Sequence, residues 1–216
     1  MTDTVRTEPS PVLLETPLIA VLRAKQADDY DAVVEVLGQN GVRSVELTLS
    51  TPGTIDHLPA LIEHSGSQLE IGVGTITTVA DAQRAIDAGA KYLVTPVINL
   101  EIIALALKHQ LPVFPGGLTP TELHSAWHAG ATAVKVFPAQ TVGAKYGSHL
   151  RGPFPDLRFV PSGGVGLDDI AAWMHAGATA VSLGGPLIGD ALKGGSLHDL
   201  AERTKLAVQI VREAIL

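Results

Sequence analysis

The chain has 216 residues, 46% of them hydrophobic but only 4% aromatic, with no cysteine and a formal net charge of −7. That length suits one sizeable α/β core rather than two domains, and the apolar fraction excludes disorder of the chain as a whole. The negative charge, without any dense Lys/Arg cluster, argues against a nucleic-acid partner, and the lack of cysteine removes disulfides, thiolate metal sites and a cysteine nucleophile and fits a cytoplasmic location.

Residues 1–10 hold Asp3 and Glu8 among prolines, with no basic stretch leading into an apolar one, so they read as a mobile tail rather than a secretory signal. The stretch Pro11–Glu15 is a short lead-in helix at best, and the folded unit spans 11–216. No apolar run approaches the ~20 residues that cross a bilayer, so no membrane partner is expected.

From Leu18 onward, strand and helix patterns alternate with short connections. Strands are expected over 18–22, 44–49, 69–73, 92–96, 112–114, 133–137, 158–161 and 180–183. Helical segments fall near 27–39, 54–63, 81–88, 100–108, 121–128, 167–175 and 197–215, while 141–155 is the least clear connection. A helix ending in glycine before a strand recurs at Gly41, Gly89, Gly130 and Gly177, the expected left-handed cap that turns the chain back into a sheet. Eight βα units in this length predict a single-domain α/β fold, a (β/α)8 TIM barrel, and no G-x-G-x-x-G follows the first strand as a dinucleotide fold would require.

Within 133–137, alternation sets Ala133, Lys135 and Phe137 on one face and Val134 and Val136 on the other. A lysine inside an apolar strand either reaches solvent or pairs with an acid, or it serves as a desolvated amine that attacks a carbonyl. The strand 44–49 repeats the pattern, with Glu46, Thr48 and Ser50 opposite Val45, Leu47 and Leu49. In a barrel whose outer face packs on helices, Lys135 and Glu46 both point inward. A buried ion pair contributes little net stability, so the two together read better as amine and proton shuttle.

Two glycine pairs follow the last two strands, Ser162-Gly163-Gly164 and Gly184-Gly185. Loops at these barrel positions commonly hold a phosphate through backbone N–H groups. Gly116-Gly117 and Gly194-Gly195 are similar pairs elsewhere. His124 and His128 have helical spacing but lack the rest of a ligand set, so no metal is expected.

Eight motifs in one order carry a family resemblance: V-E-L-T-L at 45–49, G-V-G-T at 72–75, T-P at 95–96, P-G-G-L-T-P-T-E at 115–122, K-V-F-P-A at 135–139, R-G-P-F-P at 151–155, P-S-G-G at 161–164 and L-G-G at 183–185. Together they resemble the class I 2-keto-3-deoxy-6-phosphogluconate (KDPG) aldolase / 4-hydroxy-2-oxoglutarate aldolase family, over nearly everything from Thr16 to about Leu192. The resemblance implies a homotrimer of barrels with Lys135 as Schiff-base residue and Glu46 as general acid/base. It also implies a pyruvoyl pocket near Thr75, with Pro96 among the substrate-binding residues and Phe137 on the apolar side, and phosphate on Ser162, Gly163, Gly164, Gly184 and Gly185.

Three departures bear on binding. Ser50 stands where some members have an arginine that helps hold the substrate carboxylate, and Arg23, on the face shared with Ile19 and Val21, is the cation nominated instead. Ser162 stands where threonine is common. Pro186 stands where some members have serine, which removes an N–H and a hydroxyl from the phosphate loop.

The implied partner is a small 2-oxo acid, phosphorylated, and the implied reaction is reversible aldol cleavage of KDPG to pyruvate and glyceraldehyde 3-phosphate, without metal or organic cofactor. The galactonate epimer and 4-hydroxy-2-oxoglutarate are alternative substrates. A sugar-phosphate isomerase or epimerase and a noncatalytic sugar-phosphate binder are readings of other classes.

Overall fold

A computed structural model describes residues 6–215. Eight parallel strands form one sheet: β1 (Leu18–Leu22), β2 (Ser44–Thr48), β3 (Glu70–Gly74), β4 (Leu93–Thr95), β5 (Val113–Gly117), β6 (Val134–Val136), β7 (Phe159–Pro161) and β8 (Val181–Leu183). Each pairs with its neighbour in sequence, and β1 pairs with β8. The remaining seam, between β7 and β8, is bridged by Ser162 and Ser182, whose hydroxyls are 3.2 Å apart. The expected (β/α)8 barrel is therefore the observed fold.

Ten α-helices complete it among the described residues: α1 (Pro11–Glu15), α2 (Asp31–Gln39), α3 (Thr54–Ser65), α4 (Val79–Asp87), α5 (Leu100–Lys108), α6 (Pro120–His128), α7 (Lys145–Arg151), α8 (Ile170–His175), α9 (Gly185–Ile188) and α10 (Leu197–Ala214). Two expected helices begin as 3-10 turns, Ala27–Tyr30 before α2 and Leu167–Asp169 before α8. In both, an aspartate one turn in reaches back to a backbone N–H, Asp29 to Gln26 and Asp169 to Gly166, and favours the tighter first turn. The unclear connection 141–155 holds α7. The strand expected over 112–114 runs on to Gly117, because small residues let its Pro-Gly-Gly end approach β4 closely: a Cβ on Gly116 would sit 2.6 Å from the Thr95 carbonyl oxygen. The repeated caps are as expected, with φ of +98, +95, +103 and +92° at Gly41, Gly89, Gly130 and Gly177.

Alternation along the strands sorts the core into two layers. Val45, Leu47, Val134, Val136, Val181 and Leu183 pack outward with the helices. A smaller inner cluster of Leu13, Ile19, Tyr92, Val94, Phe114, Ala133, Val160 and Ala180 fills the barrel. Leu13 belongs to α1, so this helix plugs the N-terminal end, where Ser10 caps it by accepting from the Leu13 N–H at 3.0 Å.

Residues 1–5 of the expected mobile tail lie outside the described residues. Residues 6–10, expected as part of the tail, pack on the barrel instead: the Arg6 guanidinium lies 3.3 Å from the centroid of the Trp127 ring and donates to the Ala131 carbonyl oxygen at 3.0 Å, and Glu8 pairs with Arg158 at 2.5 Å. Among the described residues, no helix is long and apolar enough to cross a membrane.

The plugged end carries a pH-sensitive group. Glu70 opens β3 inside the barrel, and burial pushes its carboxyl above the usual 4.5, an effect partly offset by the Ser10 and Ser44 hydroxyls, the latter donating at 2.5 Å. The folded state thus binds this proton more tightly than the unfolded chain. The associated stability is complete below the unfolded value and is lost as pH rises through the folded one. Glu70→Gln, which stays neutral, is expected to gain in melting temperature relative to the parent protein as pH rises above the usual carboxylate range. A difference independent of pH would remove Glu70 as the titrating group.

Candidate active site

The C-terminal ends of the strands open into a cavity of about 400 Å³. Lys135 is the central residue of β6, paired in register with Gly116 of β5 and Val160 of β7. Its strand neighbours Val134 and Val136 join the outer layer, which turns the lysine into the barrel as alternation predicted.

Glu46 is the central residue of β2, paired with Val21 and Gly72. The two glycines of G-V-G-T on β3 explain how a carboxylate fits there. A Cβ on Gly74 would lie 1.9 Å from Glu46 Oε1, and one on Gly72 would lie 2.3 Å from the Tyr92 ring. Both are space holders: Gly74 for the carboxylate, Gly72 for the aromatic floor beneath it. Tyr92 in turn packs edge-on against Phe114, with centroids 5.6 Å apart at 81°. Burial, reinforced by the charges of Glu70 and Glu46, holds the Tyr92 hydroxyl well above its usual 10, so it stays neutral below the site.

Lys135 Nζ and Glu46 Oε1 are 3.8 Å apart, with the two side chains only 10% and 3% exposed. That separation exceeds hydrogen-bond reach and admits an oxygen atom as intermediary, from substrate or water. The Phe137 ring flanks the amine, its centroid 5.3 Å from Nζ.

Every residue expected at the site lines this one cavity: Lys135, Glu46, Arg23, Thr75, Pro96, Phe137, Ser162, Gly163, Gly164, Gly184 and Gly185. Thr75 follows β3 with φ +62°, a left-handed conformation that β-branched residues avoid and that accompanies functional positions. Gly163 and Gly164 have φ of +86 and +76°, and their missing side chains make room for the Phe137 ring and the Gln140 side chain. Ser50 is not among the lining residues. It turns to Thr48, whose Oγ1 is 3.0 Å from its own Oγ.

The cavity also holds residues that the strand pattern did not single out, chiefly Lys193 in the 3-10 turn Ala191–Lys193. The available signal was Gly194-Gly195, which ends that turn with Gly194 in the left-handed region at φ +81°. Away from the site, His124 packs its ring 4.6 Å from that of Phe154.

A family model described as KDPG and KHG aldolase matches residues 10–202. The chain belongs to this aldolase family. It is 32% identical over 200 residues to the 2-dehydro-3-deoxy-6-phosphogalactonate aldolase of Escherichia coli K12, covering 92% of this chain and 96% of that one. With the 2-dehydro-3-deoxy-phosphogluconate aldolase of Treponema pallidum it shares 33% over 158 residues, 73% of this chain and 75% of that one. Among solved structures, a native KDPGal structure superposes with a TM-score of 0.85 at 32% identity, covering 92% and 96% of the two chains. The KDPG aldolase of Legionella pneumophila, with pyruvate captured as a covalent carbinolamine, superposes at 0.79 and 27%, again over 92% and 96%.

Proposed function

We propose that this family member is a class I aldolase that reversibly cleaves KDPG to pyruvate and glyceraldehyde 3-phosphate. The observation that carries the reading is a buried amine 3.8 Å from a buried carboxylate at the floor of an open cavity. Lys135 Nζ attacks the C2 carbonyl, and loss of water from the carbinolamine yields an iminium. Glu46 takes the C4 hydroxyl proton, directly or through one water. The C3–C4 bond then breaks, its electrons pass into the iminium as an enamine, and the aldehyde leaves. Protonation at C3 and hydrolysis release pyruvate and return the amine. Thr75, Pro96 and Phe137 enclose the pyruvoyl end, Arg23 holds the carboxylate, and the glycine loops at Ser162–Gly164 and Gly184-Gly185 receive the phosphate.

The galactonate epimer is a second reading, favoured by the match to the phosphogalactonate enzyme along 200 residues rather than 158. Steady-state kinetics with both C4 epimers, each with and without the 6-phosphate, rank the substrates. Phosphate bound by several backbone donors should raise kcat/KM by about 10²-fold or more over the unphosphorylated acid. A ratio near unity would reject the phosphate loops, and an Arg23→Ala enzyme with unaltered kinetics would reject that carboxylate anchor. Assembly as a homotrimer in the cytoplasm belongs to the same reading. It accords with the exposed Val97 and Leu100 beyond β4 and with the absence of cysteine, and a sedimentation mass equal to one chain would remove the trimer.

A further inference from the structure

Two exposed cations line the cavity, Arg23 just after β1 and Lys193 at its mouth. Among the described residues neither forms a salt bridge. In a chain of net charge −7, an unpaired lysine at the mouth of a glycine-lined cavity offers its charge to whatever anion enters.

The segment that presents Lys193 is held from behind. Arg203 of α10 donates to the carbonyl oxygens of Leu187 and Ile188 at 2.8 and 3.0 Å, and a Cβ on Gly189 would lie 2.6 Å from its guanidinium. The Asp190 carbonyl oxygen accepts from the N–H groups of Lys193 at 2.8 Å and Gly195 at 3.0 Å. Ala191 and Leu192 are buried, and Leu192 faces the cavity. The backbone is thus anchored by groups outside the cavity, while the Lys193 side chain stays exposed at the same rim as Gly164 and Gly185.

Substrate chemistry separates the two anionic ends. The C1 carboxylate is one bond from the carbon that must reach Lys135, so it lies near the floor. The C6 carbon is four bonds from that carbon and the phosphorus it carries through oxygen is six, so the phosphate reaches the rim. There the loop after β8 is poorer in donors than usual, because Pro186 has no N–H.

We propose that Lys193 is a specificity-determining residue that binds the terminal phosphate of the substrate and supplies the charge that the β8 loop lacks. This rests on the phosphorylated-substrate reading above.

The test is kcat/KM for the 6-phosphorylated 2-keto-3-deoxy acid and its unphosphorylated counterpart on the parent enzyme, Lys193→Ala and Lys193→Arg. With a charge-assisted contact removed, Lys193→Ala should lose about 10- to 100-fold on the phosphorylated acid, mainly through KM, and less than about twofold on the other. Lys193→Arg should retain most of the preference. Equal losses on both substrates, or none on either, overturn the assignment. A parent enzyme that shows no phosphate preference overturns both the assignment and the phosphate reading. If the parent cleaves neither acid, the aldolase reading fails by itself, and titration with glyceraldehyde 3-phosphate then decides Lys193: affinity weakened about tenfold or more in Lys193→Ala upholds it, unchanged affinity overturns it.

Discussion

Replacing Lys135 by alanine is expected to abolish imine trapping by pyruvate and borohydride and to lower aldol cleavage on the order of 10⁴-fold or more. Among the described residues lining the cavity, the other cations are Arg23, whose guanidinium stays protonated and forms no imine, and Lys193, which is exposed at the mouth. Alanine also strands the Glu46 carboxylate, 2% exposed, without its partner, and that alone can cost about 3–5 kcal/mol of stability. Lys135→Arg separates the effects. It keeps a cation beside Glu46, but a guanidinium stays protonated and cannot form the imine. A folded Lys135→Arg protein should be as inactive as the alanine variant, with no reduced pyruvyl mass on the peptide holding position 135. A label on Lys193 in the parent enzyme, or cleavage surviving in both variants, would sink the Schiff-base assignment and leave an isomerase or epimerase as the better reading.

Glu46→Gln should lower turnover by roughly 10²–10⁴-fold while leaving borohydride trapping at least partly intact. Glutamine keeps the side-chain size, so the space that Gly74 leaves and the contact with the barrel floor are preserved, and what is lost is the base. Because the proton on the C4 hydroxyl must leave for the C3–C4 bond to break, the deficit should fall on kcat for cleavage more than on KM. Single-turnover kinetics of pyruvate imine formation, compared with steady-state cleavage, make the separation. Unchanged turnover would assign the proton transfer to another group, and complete loss of trapping would mean that Glu46 acts already in imine formation.

Much of this site was legible in the chain because the signals are local. Period-2 alternation is a property of a few consecutive residues, so the inward faces of 44–49 and 133–137 could be read before any neighbour was known, and Val134 and Val136 do pack outward around Lys135. The glycine caps at Gly41, Gly89, Gly130 and Gly177 are equally local, since each is required by the sign of its own φ. Strand ends were harder to place. Extension of β5 to Gly117 and the shift of β3 to Glu70–Gly74 depend on what the adjacent strand allows, and Gly74, one residue past the expected strand, is seen to leave space for Glu46 only once β2 and β3 are paired.

Composition and alternation by themselves gave a (β/α)8 barrel with Lys135 and Glu46 facing inward and glycine loops after the last two strands, and the order of the motifs gave its resemblance to the KDPG and KHG aldolase family. Only the tertiary structure decided that residues 89 positions apart in the chain, from 46 to 135, stand at 3.8 Å, since closure of the barrel across β3, β4 and β5 sets that distance. It alone also decided that residues 6–10 pack on the barrel, and that Lys193 shares a rim with Gly163 and Gly164. The physical reason is common to all three. Backbone sterics act over one or two residues and are written in the sequence, whereas the meeting of distant side chains depends on strand register and helix packing summed around the whole ring.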